Sequence, residues 1–145
     1  MLLPFAAIAT VGDVMPLRKE NRIIVREGLK AIGSCENLGL QKLIARCELN
    51  PAALSTYHIG FVIGPCLNSG GRLESANLGL SMLLEEDETR AEEAAERLKA
   101  LNDQRKQMTE NGIRAASEEI DALPELPKVL VVYLKDCHES VAGII

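Results

Sequence analysis

The sequence predicts an α/β fold that is predominantly helical, made of parts of two bodies joined by one long helix. Short runs with helical spacing fill residues 1–84. Residues 85–121 contain no proline and one glycine, as expected of a long uninterrupted helix. Residues 122–145 begin with a proline-containing linker and continue into a β-branched run, which is typical of a buried strand. We therefore expect residues 1–84 and 122–145 to belong to two domains, and residues 85–121 to form the helix between them.

The composition is that of a globular chain without a membrane span. The chain has 145 residues, 47% of them hydrophobic, and this is too apolar for disorder. No stretch reaches the roughly 18 uninterrupted apolar residues that a membrane helix needs. Both ends are apolar, whereas natural domains usually end on polar residues. We therefore expect a soluble piece cut from a larger fold.

The first 84 residues contain short apolar runs. Residues 5–14 are almost wholly apolar, and periodicity alone leaves a buried helix and a buried strand both open. In the later runs apolar residues recur three and four positions apart, with Gly33 as an expected C-cap and Ser55 as an expected N-cap. Short packed helices are therefore predicted over residues 22–32, 38–47, 54–63 and 78–84.

The segment GPCLNSGGRLE interrupts this series and predicts a shaped loop, because it contains Gly64, Pro65, Gly70 and Gly71. Glycines let backbone N–H groups approach an anion closely, and an arginine can bind phosphate oxygens in a bidentate manner. The asparagine, serine and arginine of this segment therefore favour phosphate binding. A tight turn in which the arginine pairs with an acid stays open at this point.

Residues 85–121 begin with four consecutive acids, which suit a helix N-terminus. A helix of this length would extend about 55 Å, and one that is so polar usually bridges two bodies. Its apolar stripe is thin, and Arg105 interrupts it. Beyond it, Val129–Tyr133 is the clearest strand, and Ser140 is a suitable cap for a helix that starts at Val141.

The net charge of −5 is distributed unevenly. The long predicted helix holds 12 of the 21 acidic residues, so the acidity does not exclude a polyanionic ligand elsewhere. The four cysteines include no close pair of the kind that structural zinc sites use. We therefore expect reduced thiols in a cytosolic protein rather than a zinc site.

Two further positions carry candidate chemistry. Asp13 is a lone carboxylate within an apolar segment, which is consistent with a helix cap, an arginine partner or a metal ligand. Cys137 and His138 are adjacent, so on a strand they point to opposite faces and do not form a nucleophile and its base. His138 at the carboxyl end of a strand is better placed to contact a ligand. His58 is expected to be a surface or core histidine.

Three segments resemble the RecJ-type single-strand-specific exonucleases of the DHH phosphoesterase superfamily. They are IATVGDVMPLRKENRIIVREGL, GPCLNSGGRLESANLGLSMLLEED and VLVVYLKDCHESVAGII, in the family's order and spanning nearly the whole chain. The resemblance implies that residues 1–84 end a DHH metal-binding domain. Residues 85–121 would be the interdomain helix, and residues 122–145 the first strand and helix of the DHH-associated, substrate-binding domain.

The resemblance also implies an activity, namely metal-dependent 5′–3′ hydrolysis of single-stranded DNA in cytoplasmic DNA repair and recombination. Asp13 matches a ligand of catalytic Mn²⁺ or Mg²⁺, and most of the other ligands would lie upstream. Four residues match positions near the substrate phosphates: Asn68, Gly71, Arg72 and His138. Single-stranded DNA is the implied partner, with a single-strand-binding protein and a helicase as partners of the complete enzyme, and no membrane is involved.

The sequence departs from the family pattern at several positions. Cys66 replaces an arginine, Ser69 and Gly70 stand where alanines are usual, and Cys137 and Ser140 replace tryptophan and glycine. Two alternatives stay open: a DHH phosphodiesterase for oligonucleotides or cyclic dinucleotides, and a non-catalytic scaffold of the same fold. Because a two-metal site needs several ligands, we expect the 145-residue chain alone to be inactive.

Overall fold

The computed structural model describes residues 2–135 and 137–145. Over these two ranges the regular structure is helical and includes no strand. The helices are α1 (Leu3–Gly12), α2 (Lys19–Ile32), α3 (Leu38–Arg46), α4 (Thr56–His58), α5 (Gly64–Leu73), α6 (Asn77–Leu84), α7 (Glu88–Asp121) and α8 (Glu139–Ala142), with a 3₁₀ turn at Pro51–Ala53 and a π turn at Ile59–Ile63 between α4 and α5.

One hydrophobic core lies where α3, α5, α6 and the first half of α7 meet, and α1 packs beside it on α2. The predicted helices over residues 22–32, 38–47 and 78–84 are all present, and the undecided segment 5–14 is helical as far as Gly12. The innermost side chains come from five different helical segments: Leu40, Leu43, Ile59, Ile63, Cys66, Met82 and Leu98. Side chains from most of the helical segments therefore meet in this one core.

The prediction of a loop over residues 64–74 was wrong, because Gly64–Leu73 forms helix α5. In the π turn before it, the N–H of Gly64 bonds to the carbonyl of Ile59, five residues back. This wider turn accommodates Pro65, whose ring would clash with a carbonyl in a regular α-helix interior. No described glycine has a positive φ. Gly64 and Gly70 serve close packing instead, since a Cβ on Gly70 would lie 2.8 Å from the carbonyl oxygen of Ser75.

Helix α7 packs against α3, α5 and α6 through its first half and contacts α8 through its second half. Asp87 caps its start by accepting a hydrogen bond of 2.9 Å from the N–H of Arg90. Ion pairs join the first half to its neighbours: Lys42 with Glu88 and Glu92, Arg46 with Glu96, and Glu74 with Arg97. These pairs are solvent-exposed, so they orient the helix and contribute little stability each.

The structure differs from the prediction at Val129–Tyr133, where no strand is formed and Val131 is 89% exposed. A strand needs a second backbone for hydrogen bonding, and no segment of residues 2–135 or 137–145 supplies one. The chain then reaches α8, which begins at Glu139 and is capped by His138 rather than by Ser140. No described helix is both long enough and apolar enough to cross a membrane.

Gly39 should be among the least replaceable residues of the core, because a Cβ there would overlap the backbone carbonyl of Met82. Gly39→Ala therefore forces α3 and α6 apart, and we expect the free energy of unfolding to fall by about 2–3 kcal/mol. Urea titration followed by circular dichroism measures this change.

Gly12→Ala is the matched control for that experiment, since Gly12 is also helical and has no atom within 4 Å of its added Cβ. Its stability should be unchanged or higher by up to about 1 kcal/mol, from helix propensity alone. Equal effects of the two alanines would contradict the packing explanation.

Candidate phosphate and metal site

Three of the predicted phosphate residues lie on one face of α5. Asn68, Gly71 and Arg72 stand at positions i, i+3 and i+4 of this helix, and all three are exposed. Because the segment is helical, its backbone N–H groups are not arranged as a loop around an anion. The donors that this face offers are the side-chain amide and guanidinium groups.

Helix α7 adds a second guanidinium to this face. Arg72 and Arg105 both line a cavity of about 180 Å³, together with Asn68 and Thr109. Nε and Nη2 of Arg105 donate to Oδ1 of the buried Asn102 at 3.2 and 3.1 Å, and this fixes the plane of the group. Over residues 2–135 and 137–145 neither arginine forms an ion pair. The cavity is therefore suited to an anion.

Ser140 connects this face to His138. Nη1 of Arg72 donates to the carbonyl oxygen of Ser140 at 2.6 Å. The hydroxyl of Ser140 lies 2.7 Å from Nδ1 of His138, and this nitrogen also accepts from the N–H of Ser140 at 3.2 Å. His138 is exposed and borders a cavity of about 430 Å³ beside α7. Arg72 and His138, distant in sequence, are thus joined through one residue.

Ser69 holds α5 against α7. Its buried hydroxyl donates to the carbonyl oxygens of Cys66, at 2.6 Å, and of Leu98, at 3.0 Å. Beside it, a Cβ on Gly70 would lie 3.3 Å from the side chain of Leu98. Small residues at these two positions let the helices approach closely. The separation of the two arginines depends on this contact.

Asp13 was expected within an apolar segment, but its side chain is exposed at the C-terminal end of α1. The helix ends in a Schellman motif, with the N–H of Met15 bonded to Thr10 and the N–H of Val14 bonded to Val11. Val14 takes the left-handed position with φ 53°, which usually belongs to glycine. Over the described ranges the carboxylate has no arginine partner and caps no helix N-terminus.

The chemistry of Asp13 fits one ligand of a hard divalent cation. Carboxylate oxygens are preferred ligands of Mg²⁺ and suit Mn²⁺. A negative charge at the carboxyl end of a helix is unfavourable by itself, and a bound cation would offset it. No three metal-ligating side chains cluster within residues 2–135 and 137–145, so this part of the chain does not form a complete metal site. No described hydrogen bond or ion pair links Asp13 to Arg72 or His138.

The comparison with known sequences identifies the family, although no family profile matches the chain. The chain is 36% identical to the single-stranded-DNA-specific exonuclease RecJ of Salmonella typhimurium, over 99% of its own length and 26% of that protein. Identity to RecJ of Bacillus subtilis is 33%, over 99% of this chain and 18% of that protein. The chain belongs to the RecJ family. It spans about a quarter or less of the length of these relatives.

Solved RecJ structures have the same arrangement of helices. RecJ from Thermus thermophilus in complex with Mg²⁺ has a TM-score of 0.83 at 29% identity, covering 98% of this chain and 23% of that one. An exonuclease RecJ bound to manganese has a TM-score of 0.85 at 31% identity, covering 98% of this chain and 36% of that one. The predicted family and the predominantly helical fold are thereby confirmed, and relatives in this family bind divalent metals.

Sequence reasoning missed two residues of this candidate site. Arg105 had a visible signal, because it occupies a position in the apolar stripe of α7 where a cation is out of place. Ser140 contributes its backbone carbonyl to Arg72, and a carbonyl gives no signal in a sequence. His58 is structural, as expected, since its Nδ1 accepts from the N–H of Ser55 at 3.0 Å.

Val14→Gly should stabilise the chain, because it removes a β-branched residue from the left-handed conformation next to Asp13. The left-handed backbone costs roughly 1–2 kcal/mol and the flexibility of glycine about 0.5–1 kcal/mol, so the free energy of unfolding should rise by about 0.5–1 kcal/mol. The side chain of Val14 is 87% exposed and loses little packing. Denaturant unfolding measures the gain.

Val14→Ala separates the two contributions, since alanine keeps the Cβ and most of the left-handed penalty. It should gain less than the glycine variant. A loss of stability on Val14→Gly would show that Val14 is not under strain.

Proposed function

We propose that this chain forms part of a metal-dependent 5′–3′ exonuclease for single-stranded DNA, acting in cytoplasmic DNA repair and recombination. The proposal rests on the exposed face of α5 that carries Asn68, Gly71 and Arg72, called here the α5 face. Arg72 lines one cavity with Arg105 and is connected to His138 through Ser140. The RecJ family supports the substrate class, since its members are named for single-stranded DNA. Residues 1–84, 85–121 and 122–145 then serve as metal-binding domain, connecting helix and substrate-binding domain.

In this proposal the α5 face holds the DNA backbone. Arg72 and Arg105 line one cavity and each can bind phosphate oxygens in a bidentate manner. The exposed amide of Asn68 adds a donor on the same face. Gly71 lies on the same face, where a Cβ would contact Ala76 at 3.4 Å. His138, positioned by Ser140, contacts the next phosphate.

Asp13 has a separate task, which is to hold one catalytic metal ion through its exposed carboxylate. Divalent cations bound there, with ligands from elsewhere in the enzyme, would supply a polarised phosphate and a hydroxide nucleophile. The Schellman turn holds the backbone of Asp13 rigidly, which keeps the carboxylate in place. Arg72 and Arg105 stabilise charge on the phosphate as the bond breaks.

Binding of DNA by the 145-residue chain tests the α5 face. Arg72→Gln and Arg105→Gln should each weaken binding of a fluorescein-labelled oligothymidylate by about 3- to 10-fold, because each removes a phosphate contact. The dependence of log affinity on log salt should become shallower by about 0.7 per variant. Fluorescence anisotropy over a series of salt concentrations measures both quantities.

Arg97→Gln is the matched control. Arg97 is an exposed arginine of α7, the helix of Arg105, and its guanidinium is paired with Glu74. It should change the affinity less than twofold and leave the salt slope unaltered. If all three variants behave alike, binding is non-specific and the α5 face is not the phosphate site.

Asp13→Asn in the complete enzyme tests the metal role. Since loss of a residue that merely supports a ligand costs about 10–100-fold, loss of the ligand should lower Mn²⁺-dependent release of nucleotides at least about 100-fold. The 5′–3′ direction is assayed with single-stranded DNA labelled at either end. Cyclic and linear dinucleotides are assayed in parallel, and faster cleavage of these would favour the oligonucleotide phosphodiesterase.

Asp121→Asn controls for the loss of an exposed carboxylate at a helix end, and it should leave the rate unchanged. The 145-residue chain should show no nuclease activity with Mn²⁺, because its described residues bring no three ligands together. An Asp13→Asn enzyme with a normal rate would remove Asp13 from the metal site.

A further inference from the structure

A pair of thiols lies outside the α5 face and has no part in the proposed hydrolysis. The Sγ atoms of Cys47 and Cys66 are 3.8 Å apart, although the two residues are 19 positions apart in sequence. Cys47 is the C-cap of α3, and Cys66 lies on α5. Cys66 stands where the resemblance to RecJ-type enzymes places an arginine, so the pair is a feature of this chain.

The two thiols have different surroundings. Cys66 is fully buried in the hydrophobic core, whereas Cys47 is partly exposed at its edge. The end of α3 is held by a second Schellman motif, with Glu48 in the left-handed position at φ 56° and the N–H of Leu49 bonded to Ile44. Cys47 is therefore fixed beside Cys66 and also accessible to a small solute.

The pKa values of the two thiols are shifted in opposite directions. A hydrogen bond from the Cys66 thiol lowers the pKa of Cys47 to about 7, helped by the nearby charges of Lys99 and Lys106. Burial and Asp103 act in the opposite direction on the same group. The pKa of Cys66 is raised by its hydrogen bond with Cys47 and by burial. Cys47 is thus the more readily ionised thiol of the pair at neutral pH, and Cys66 remains the proton donor.

We propose that Cys47 and Cys66 form an oxidisable dithiol site, in which Cys47 reacts with a peroxide and Cys66 resolves the product into a disulfide. In the first step the Cys47 thiolate attacks one peroxide oxygen, the O–O bond breaks, and hydroxide leaves with Cys47 as a sulfenic acid. In the second, the Cys66 sulfur attacks Cys47, the S–O bond breaks, and water leaves with the Cys66 proton. The peroxide is reduced by two electrons and the two thiols are oxidised.

The disulfide would connect the end of α3 directly to α5, the helix that carries Asn68 and Arg72. Its sulfurs must approach from 3.8 Å to about 2.05 Å. The first half of α5 would be drawn toward α3 as a result. Oxidation therefore acts on the same helix that we propose to bind DNA, without touching its phosphate-binding face.

The experiment uses the reduced 145-residue chain and hydrogen peroxide at about pH 7. The lowered pKa of Cys47 increases its thiolate fraction at this pH, and the lower nucleophilicity of a more acidic thiol offsets part of that gain. Cys47 should therefore be oxidised about 5-fold faster than Cys35, which is also partly exposed and serves as the internal reference.

Peptide mapping identifies the product. Cleavage after glutamate places Cys47 in peptide 37–48 and Cys66 in peptide 49–74, whereas trypsin leaves both in one peptide. The expected result is a disulfide-linked pair of these two peptides, two hydrogens lighter than their sum, which dithiothreitol separates. A Cys35→Ser/Cys137→Ser variant should give the same linked pair at the same rate.

Cys66→Ala tests the resolving step, since Cys47 should then accumulate as a sulfenic acid that a 1,3-dione probe labels. If this variant does not fold, the proposal is still tested by whether the disulfide-linked peptides 37–48 and 49–74 form in the unsubstituted chain. Oxidation of Cys47 no faster than that of Cys35, or faster oxidation without the linked pair, overturns it.

Discussion

The close contact between α5 and α7 is the constraint on which the rest of the structure depends. Ser69 and Gly70 bring the helices together, and the hydroxyl of Ser69 reaches the carbonyl of Leu98 across the interface. A larger residue at either position would separate the helices, because the core is close-packed and cannot absorb the added volume. Arg72 and Arg105 would then no longer line one cavity. The phosphate-binding face is in this sense a product of core packing.

The π turn at Ile59–Ile63 determines which way α5 faces. Each helical residue rotates its successor by about 100°, so the extra residue in this wide turn rotates every later side chain by that amount. With a regular turn, Cys66 and Ser69 would leave the core and Arg72 would leave the cavity. Gly64 permits the turn, because a Cβ there would lie 2.9 Å from the carbonyl oxygen of Ile59. Two residues, Gly64 and Pro65, thus set the orientation of the face.

Helices α2, α3 and α7 were predictable because their apolar spacing is local information. The loop prediction at Gly64–Leu73 failed because glycine and proline were taken as turn residues, whereas their roles depend on neighbouring helices. A strand at Val129–Tyr133 needs a pairing partner, which no local pattern supplies. Asp13 is exposed because α1 ends in a Schellman turn. The sequence did not predict this turn, because Val14 occupies the left-handed position where glycine is usual. Asn68, Gly71, Arg72 and His138 of the candidate site were predicted by resemblance, but their grouping with Arg105 depends on the packing of α5, α7 and α8, which the sequence does not show.

A chain of net charge −5 can present a cationic face because three acids of α7 pair with basic residues of α3. Glu88, Glu92 and Glu96 recur every four residues and pair with Lys42 and Arg46 of α3. At about 100° per residue, Arg105 is rotated by roughly 180° from Glu96, so it lies on the opposite side of the helix. One side of α7 is thus neutralised against α3, while the other adds its arginine to α5. Attraction of a polyanion depends on this local field more than on the total charge, since fields from distant exposed charges are screened within about 10 Å.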